Sequence, residues 1–236
     1  MQPQHASIRQ CLSQGWTAFG KNANVAIPAS LLYTGLNAVA MCIPVFNLLY
    51  LVYGVFPLLG GYVSLFLNIT RGRPHIGWLF TGWLESRDRW NRAGWHLVAC
   101  TLGRGFILAI AFLPLVVVAA LLRTGPASTS IEVIAVVAFP VLWGLSVVRW
   151  AFTFHVMADQ DISGKEAMKV SALMTKGVRP HILAVLLVAR GVALAGVLAL
   201  GVGVLVTVPL AECVISASYL SLRDEGESTP QSGLPL

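Results

Sequence analysis

The chain has 236 residues, 56% of them apolar, and a mean hydropathy of +0.75. Only 11% are charged, against roughly 25% in soluble domains, so a water-soluble fold would leave a large apolar surface uncovered. The net charge of +6 sits between long apolar runs, where basic residues set membrane topology and meet anionic lipid heads; nucleic acid is not the expected partner.

The opening stretch MQPQHASIRQCLSQGW has no apolar core and does not read as a cleavable signal peptide. Over residues 6–21, Ile8, Leu12, Trp16 and Phe19 recur at helical spacing with Arg9, Gln10, Ser13 and Gln14 between them. That pattern predicts an amphipathic helix lying in the membrane interface. A first span is predicted over about 25–43 and a second over about 48–68, joined by the uncharged PVFN turn. The stretch that follows carries Arg71, Arg73, Arg87, Arg89 and Arg92 against Glu85 and Asp88. Its Trp78, Leu79, Phe80, Trp83 and Leu84 predict a second interfacial helix.

A third span covers about 97–122 and a fourth about 133–154, separated by RTGPASTS. Ser163 and Glu166 then have capping-box spacing, in which the hydroxyl and the carboxylate each satisfy a free backbone N–H at a helix start. Gly177 suits the end of that short helix, and Ala167, Val170 and Met174 give it an apolar face. The apolar run 181–222 is too long for one crossing of a roughly 30 Å hydrocarbon core. Gly201 and Gly203 mark the expected break, giving spans over about 181–200 and 204–222; one long tilted helix is the alternative. Residues 223–236 read as a disordered cytoplasmic tail.

The expected fold is an all-α integral membrane protein. Six transmembrane helices form three hairpins, each preceded by a short amphipathic interfacial helix, in a single membrane domain over 1–222. Lys and Arg concentrate in the N-terminal segment, the 70–95 and 158–180 loops and the tail, whereas the opposite turns hold only Arg123. Both termini are therefore expected in the cytoplasm. The recurring unit would make any symmetry parallel, about an axis along the membrane normal; equally, any even number of spans divides into hairpins.

PLLGGYVSLFLNITRGRPHIGWLFTGW and ADQDISGKEAMKVSALMTKG carry a recognisable order of residues: Pro57, Gly60, Arg71, Gly72, Leu79, Phe80 and Gly82, then Asp159, Glu166, Ala167, Ser171, Lys176 and Gly177. TVPLAECVISASYL adds Thr207, Pro209, Ala217 and Tyr219. Over about residues 10–222 the chain resembles an uncharacterised bacterial family of multi-pass inner-membrane proteins. That family is related to the membrane domain attached to some glycerophosphodiester phosphodiesterases. The resemblance implies a bacterial inner-membrane location and a six-helix architecture, and it supplies no catalytic residue.

Arg104, Arg149, Arg190 and Glu212 are the charges expected inside the bilayer. Such a residue costs about 2.5–3.5 kcal/mol at a helix centre on insertion scales, so it faces protein, pairs, or reaches the interface. All four sit at comparable expected depth. Together they suggest a partly buried pocket for an anionic head group, a phospholipid or isoprenoid phosphate, since the arginine fork donates two hydrogen bonds at once. Glu212 would hold an arginine or titrate in a transport cycle, and Arg190 or Arg149 is its expected partner. The plainer reading is that the arginines snorkel and Glu212 makes one structural pair.

Prolines in the spans read mainly as kinks and the glycines near 191–203 as close-packing sites. Cys11, Cys42, Cys100 and Cys213 are scattered without metal or disulfide spacing. Asp159 and Asp161 lack a third ligand, so no metal site is expected; no cofactor and no enzymatic activity are expected either. Anionic lipids, and as an alternative a membrane-protein partner that the chain scaffolds, are the expected associates.

Overall fold

The structure is a computed structural model that describes residues 7–84, 86–121, 138–198 and 203–228. Its described residues are helical, with no strand among them. Four helical stretches are long and apolar enough to cross a membrane: Arg87–Pro114, Ala138–Gln160, Arg179–Gly196 and Val204–Asp224. A fifth apolar helix, Val55–Thr70, is shorter.

Helix α1 (Ile8–Cys42) merges the predicted interfacial helix and first span, with a kink at Asn22 (φ −126°, ψ 21°). It starts at a capping box that the sequence reading did not single out. The Gln10 N–H donates to the Ser7 hydroxyl at 3.2 Å, and the Ser7 N–H donates to Gln10 Oε1 at 2.7 Å. The first half of α1 packs closely on α10. A Cβ on Gly15 would lie 2.7 Å from the Val214 Cα, so only glycine permits this approach.

The second predicted span is two helices, α2 (Pro44–Tyr53) and α3 (Val55–Thr70), meeting at Gly54. The break has a local cause and a local remedy. Pro57 has no N–H to offer the Tyr53 carbonyl one turn earlier. The Asn91 side chain donates to that carbonyl instead, at 3.0 Å, and the Trp95 indole N–H donates to the Val52 carbonyl at 3.2 Å. In an apolar surround, such replacements are what make a broken helix tolerable.

Helix α3 is buried over most of its length, from Pro57 to Ile69. The RPHIGWLFTGWL stretch folds back along it as a 3₁₀ turn (Ile76–Phe80) and a single helical turn, α4 (Thr81–Leu84). Two glycines set this contact. A Cβ on Gly61 would sit 1.9 Å from the Leu79 carbonyl oxygen, and one on Gly82 would sit 2.1 Å from that of Pro57. Leu79 is fully buried in the seam. Pro57, Gly82 and Leu79, all motif residues, thus act through packing.

Helix α5 (Arg87–Leu121) begins well before the expected third span and takes the charged Arg87–Arg92 stretch into its first turns. A helix over 138–148, α6, runs into the turns around Trp150 and then α7 (Thr153–Gln160). The start of the expected fourth span, 133–137, lies outside the described residues. Helix α8 (Gly164–Met174) has the predicted capping box at Ser163 and Glu166, and Gly177 takes the positive φ of +91° that its end requires. Helices α9 (Arg179–Leu198) and α10 (Val204–Ser228) are separate and pack on each other. The expected break at Gly201 lies outside the described residues. Helix α10 continues through Ser228, into the stretch expected to be a disordered tail.

The buried residues form two adjoining cores. One joins α10 to α7, α8 and α9 around Phe152, Val156 and Tyr219. The other joins α1 to α3 and the 3₁₀ turn around Tyr62, Phe66 and Leu79. Helix α10 contributes to both, with Tyr219 in the first and Cys213 in the second.

Candidate functional site

The four charges expected to converge fall into two groups. On α9 and α10, Arg190 Nη1 donates to Glu212 Oε1 at 3.3 Å. The acid faces inward, with a side chain 13% exposed, while Arg190 is 62% exposed. Arg190 lies 11 residues after Arg179, about 16 Å along the helix at 1.5 Å per residue. An acid at that depth needs a partner, and this one has it. Tyr33 and Tyr62 stack nearby with ring centroids 4.1 Å apart, both within electrostatic reach of Glu212. The Tyr62 hydroxyl lies 3.0 Å from that of Ser30.

Arg104 and Arg149 belong to the second group, which neither includes nor pairs with Glu212. The Arg104 guanidinium lies 4.4 Å from the Trp150 ring centroid, and that of Arg149 lies 5.3 Å from it, within range of cation–π attraction. Arg104 Nη1 also donates to the Ser146 carbonyl at 3.3 Å. A third arginine, Arg179 at the start of α9, is close enough to act on Arg104 electrostatically, as is Arg149. None of the three forms an ion pair among the described residues. The Nε atoms of Arg149 and Arg179 are buried without a hydrogen-bond partner. Arg104 and Arg149 thus share one tryptophan, with Arg179 within electrostatic range of Arg104, and like charges so placed can meet an anion. The sequence reading missed Arg179. Its signal was an arginine directly before Pro180, at a helix start on the basic side.

The densest polar network was also missed as a unit. Asp159, at the end of α7 and 6% exposed, accepts from three side chains. Arg71 Nη2 donates to its Oδ1. Arg223 Nη1 donates to both oxygens, at 3.3 and 3.0 Å, and the Tyr219 hydroxyl donates to Oδ2 at 2.8 Å. A carboxylate offers about four lone-pair sites, and three donor groups fill them with four hydrogen bonds. Asp159 is therefore a clamp joining α3, α7 and α10, with no site left for a metal or a transferable proton. Arg71, Asp159 and Tyr219 are all motif residues; Arg223 lay in the expected tail. Alongside, Arg89 pairs with the exposed Asp161, tying the start of α5 to the end of α7.

Outside the spanning segments, the Ser163 hydroxyl and backbone N–H hold the Glu166 carboxyl below its ordinary range. Glu166 is a cap and is remote from the arginines by role. Ser171, another motif residue, accepts from the Phe152 N–H at 3.2 Å and donates to the Arg149 carbonyl at 3.0 Å. It thereby fixes the turn that carries Arg149 and Trp150.

Compared with protein-family models, curated proteins and solved structures, the chain matches none.

Proposed function

We propose that the chain is a non-catalytic polytopic protein of the bacterial inner membrane that binds an anionic amphiphile, a phospholipid or isoprenoid phosphate, near the cytoplasmic leaflet. The observation that carries this reading is that Arg104 and Arg149 meet at Trp150 with Arg179 within electrostatic range of Arg104, the Nε atoms of Arg149 and Arg179 are buried, and none of the three has a carboxylate partner among the described residues. Arg179 opens α9 and Arg149 follows α6, which suits a head group entering from the membrane boundary. In the proposed topology both termini are cytoplasmic. Helix α1 beyond its kink and the α2–α3 pair complete six spans with the four long apolar stretches. The deeper Arg190–Glu212 pair gives a translocated head group a second polar stop. The relationship to the phosphodiesterase-associated membrane family is part of the same proposal and rests on the motif residues alone.

The test is native mass spectrometry of the gently purified full chain. Wild type is expected to retain an anionic lipid or prenyl phosphate, and Arg149→Gln with Arg179→Gln to lose it while melting normally. Equal retention by the folded double variant overturns the reading. The second reading is a scaffold for another membrane protein. It is favoured by α5, whose apolar window has no buried residue, and it predicts a co-purifying polypeptide in place of a lipid.

A further inference from the structure

A cleft of about 730 Å³ lies between α1, the end of α3 and α10, on different elements from the arginine group. Its volume is within the roughly 300–1,000 Å³ of small-molecule sites. The kink at Asn22 and the end of α3 at Thr70 lie on its wall. Its polar lining sorts into donors and acceptors.

Lys21 and Arg71 are the cationic donors, beside the neutral Gln14 amide and Ser13 and Ser221 hydroxyls. Lys21 is exposed and makes no ion pair or hydrogen bond among the described residues. Arg71 spends only Nη2, on Asp159, and its other N–H groups bond to no described residue. The acceptors are set by bonds made elsewhere. The Thr17 hydroxyl gives its proton to the Ser13 carbonyl at 2.8 Å, and that of Thr70 gives its proton to the Phe66 carbonyl at 2.8 Å. Asn22 Nδ2 donates to the Ala18 carbonyl at 2.9 Å, leaving its Oδ1 as an acceptor. Asp224 completes the lining and has no ion-pair partner among the described residues.

The cleft therefore holds cations and an anion that do not neutralise one another. A simple anion would face Asp224, and a simple cation would face Lys21 and Arg71. A ligand bearing both signs satisfies both sets. We propose that this cleft is a second binding site, for the head group of a primary-ammonium phosphodiester. Lys21 and Arg71 bind the phosphate oxygens. Asp224, with the oxygens of Asn22, Thr17 and Thr70, accepts from the ammonium, whose three N–H donors match several acceptors at once. The same chemistry occurs in an aminophospholipid head group and in a free glycerophosphoamine.

The full chain is titrated, by native mass spectrometry in detergent, with phosphatidylethanolamine, its N-trimethylated analogue, phosphatidylglycerol and water-soluble glycerophosphoethanolamine. The Arg149→Gln/Arg179→Gln background is used throughout, so that the arginine-group reading stands or falls separately. Phosphatidylethanolamine is expected to bind best of the three lipids. Asp224→Asn should cut its preference over the trimethylated analogue roughly tenfold, the ratio for losing one charge-assisted hydrogen bond. Lys21→Gln should weaken all three lipids together. Both side chains are exposed, so unchanged melting is expected in each variant. Glycerophosphoethanolamine binding with the same dependence identifies a soluble ligand; binding of the lipid alone identifies the leaflet. Equal affinity for the three lipids, or indifference to both variants, overturns the site. A preference for phosphatidylglycerol that Asp224→Asn strengthens overturns the zwitterionic assignment.

Discussion

Asp159→Ala is expected to cost about 2–3 kcal/mol of stability. The substitution removes the acceptor of four hydrogen bonds and takes from Arg71 its ion-pair partner among the described residues. Removing one partner of a fully buried pair costs about 3–5 kcal/mol, because the other charge stays unpaired. Here the Arg71 side chain is 25% exposed, so water can reach its charge and the penalty falls below that range. At about 2–4 °C per kcal/mol for a chain of this length, the melting temperature should drop by roughly 4–12 °C. The assay is intrinsic tryptophan fluorescence of the detergent-solubilised protein during a thermal ramp. Tyr219→Phe removes one hydrogen bond and leaves three, and should cost about 1 kcal/mol. Asp161→Asn is the control: its carboxylate is 87% exposed, exposed pairs are worth about 0–1 kcal/mol, and asparagine tolerates the positive φ of 53° at this position. If Asp159→Ala melts no lower than Asp161→Asn, the clamp does not hold the three helices and the reasoning is wrong.

Further outcomes are expected elsewhere in the molecule. Gly61→Ala would press a methyl group against the Leu79 carbonyl and should lower stability by about 1–3 kcal/mol. Gly20→Ala, with nothing within 4 Å, should be neutral or gain up to about 1 kcal/mol from helix propensity; the same thermal ramp separates the two. Arg190→Gln and Glu212→Gln, made singly and together, should show a coupling of about 0.6–1.7 kcal/mol. Strict additivity would mean the pair contributes nothing. For Glu166, the depressed pKa sets the sign. Its contribution is complete above the ordinary carboxylate value of 4.5 and is lost as pH falls through the lower folded-state value. The protection of α8 amides against hydrogen exchange, taken relative to the intrinsic rate at each pH, should therefore fall at acid pH in wild type. It should lose that pH dependence in Glu166→Gln, which keeps an acceptor but does not titrate.

Legibility differed from one element to the next. The α8 cap was plain, because a capping box is a contact between residues three apart. The Ser7–Gln10 box has the same spacing and could have been found. The α2–α3 break was not legible from Gly54 alone: its stability needs Asn91 and Trp95, 38 and 43 residues beyond the Tyr53 and Val52 carbonyls they satisfy. Arg223 was assigned to a tail by composition, yet it binds Asp159 across 64 residues. The 75–84 stretch read as an amphipathic helix, but the glycines at 61 and 82 let it pack as a tighter turn against α3.

The sequence by itself determined that the chain is helical, with stretches long and apolar enough to cross a membrane. Apolar length and sparse charge are one-dimensional properties, and a bilayer reads them directly. It also determined that Glu212 must have a partner, because an unpaired acid in apolar surroundings is costly. Only the tertiary structure decided that the partner is Arg190, and that Arg104 and Arg149 meet at Trp150 instead. That choice depends on how each helix is rotated about its axis and which neighbour it packs against. Those rotations are set by side-chain fit across both cores at once, which no local stretch of sequence encodes.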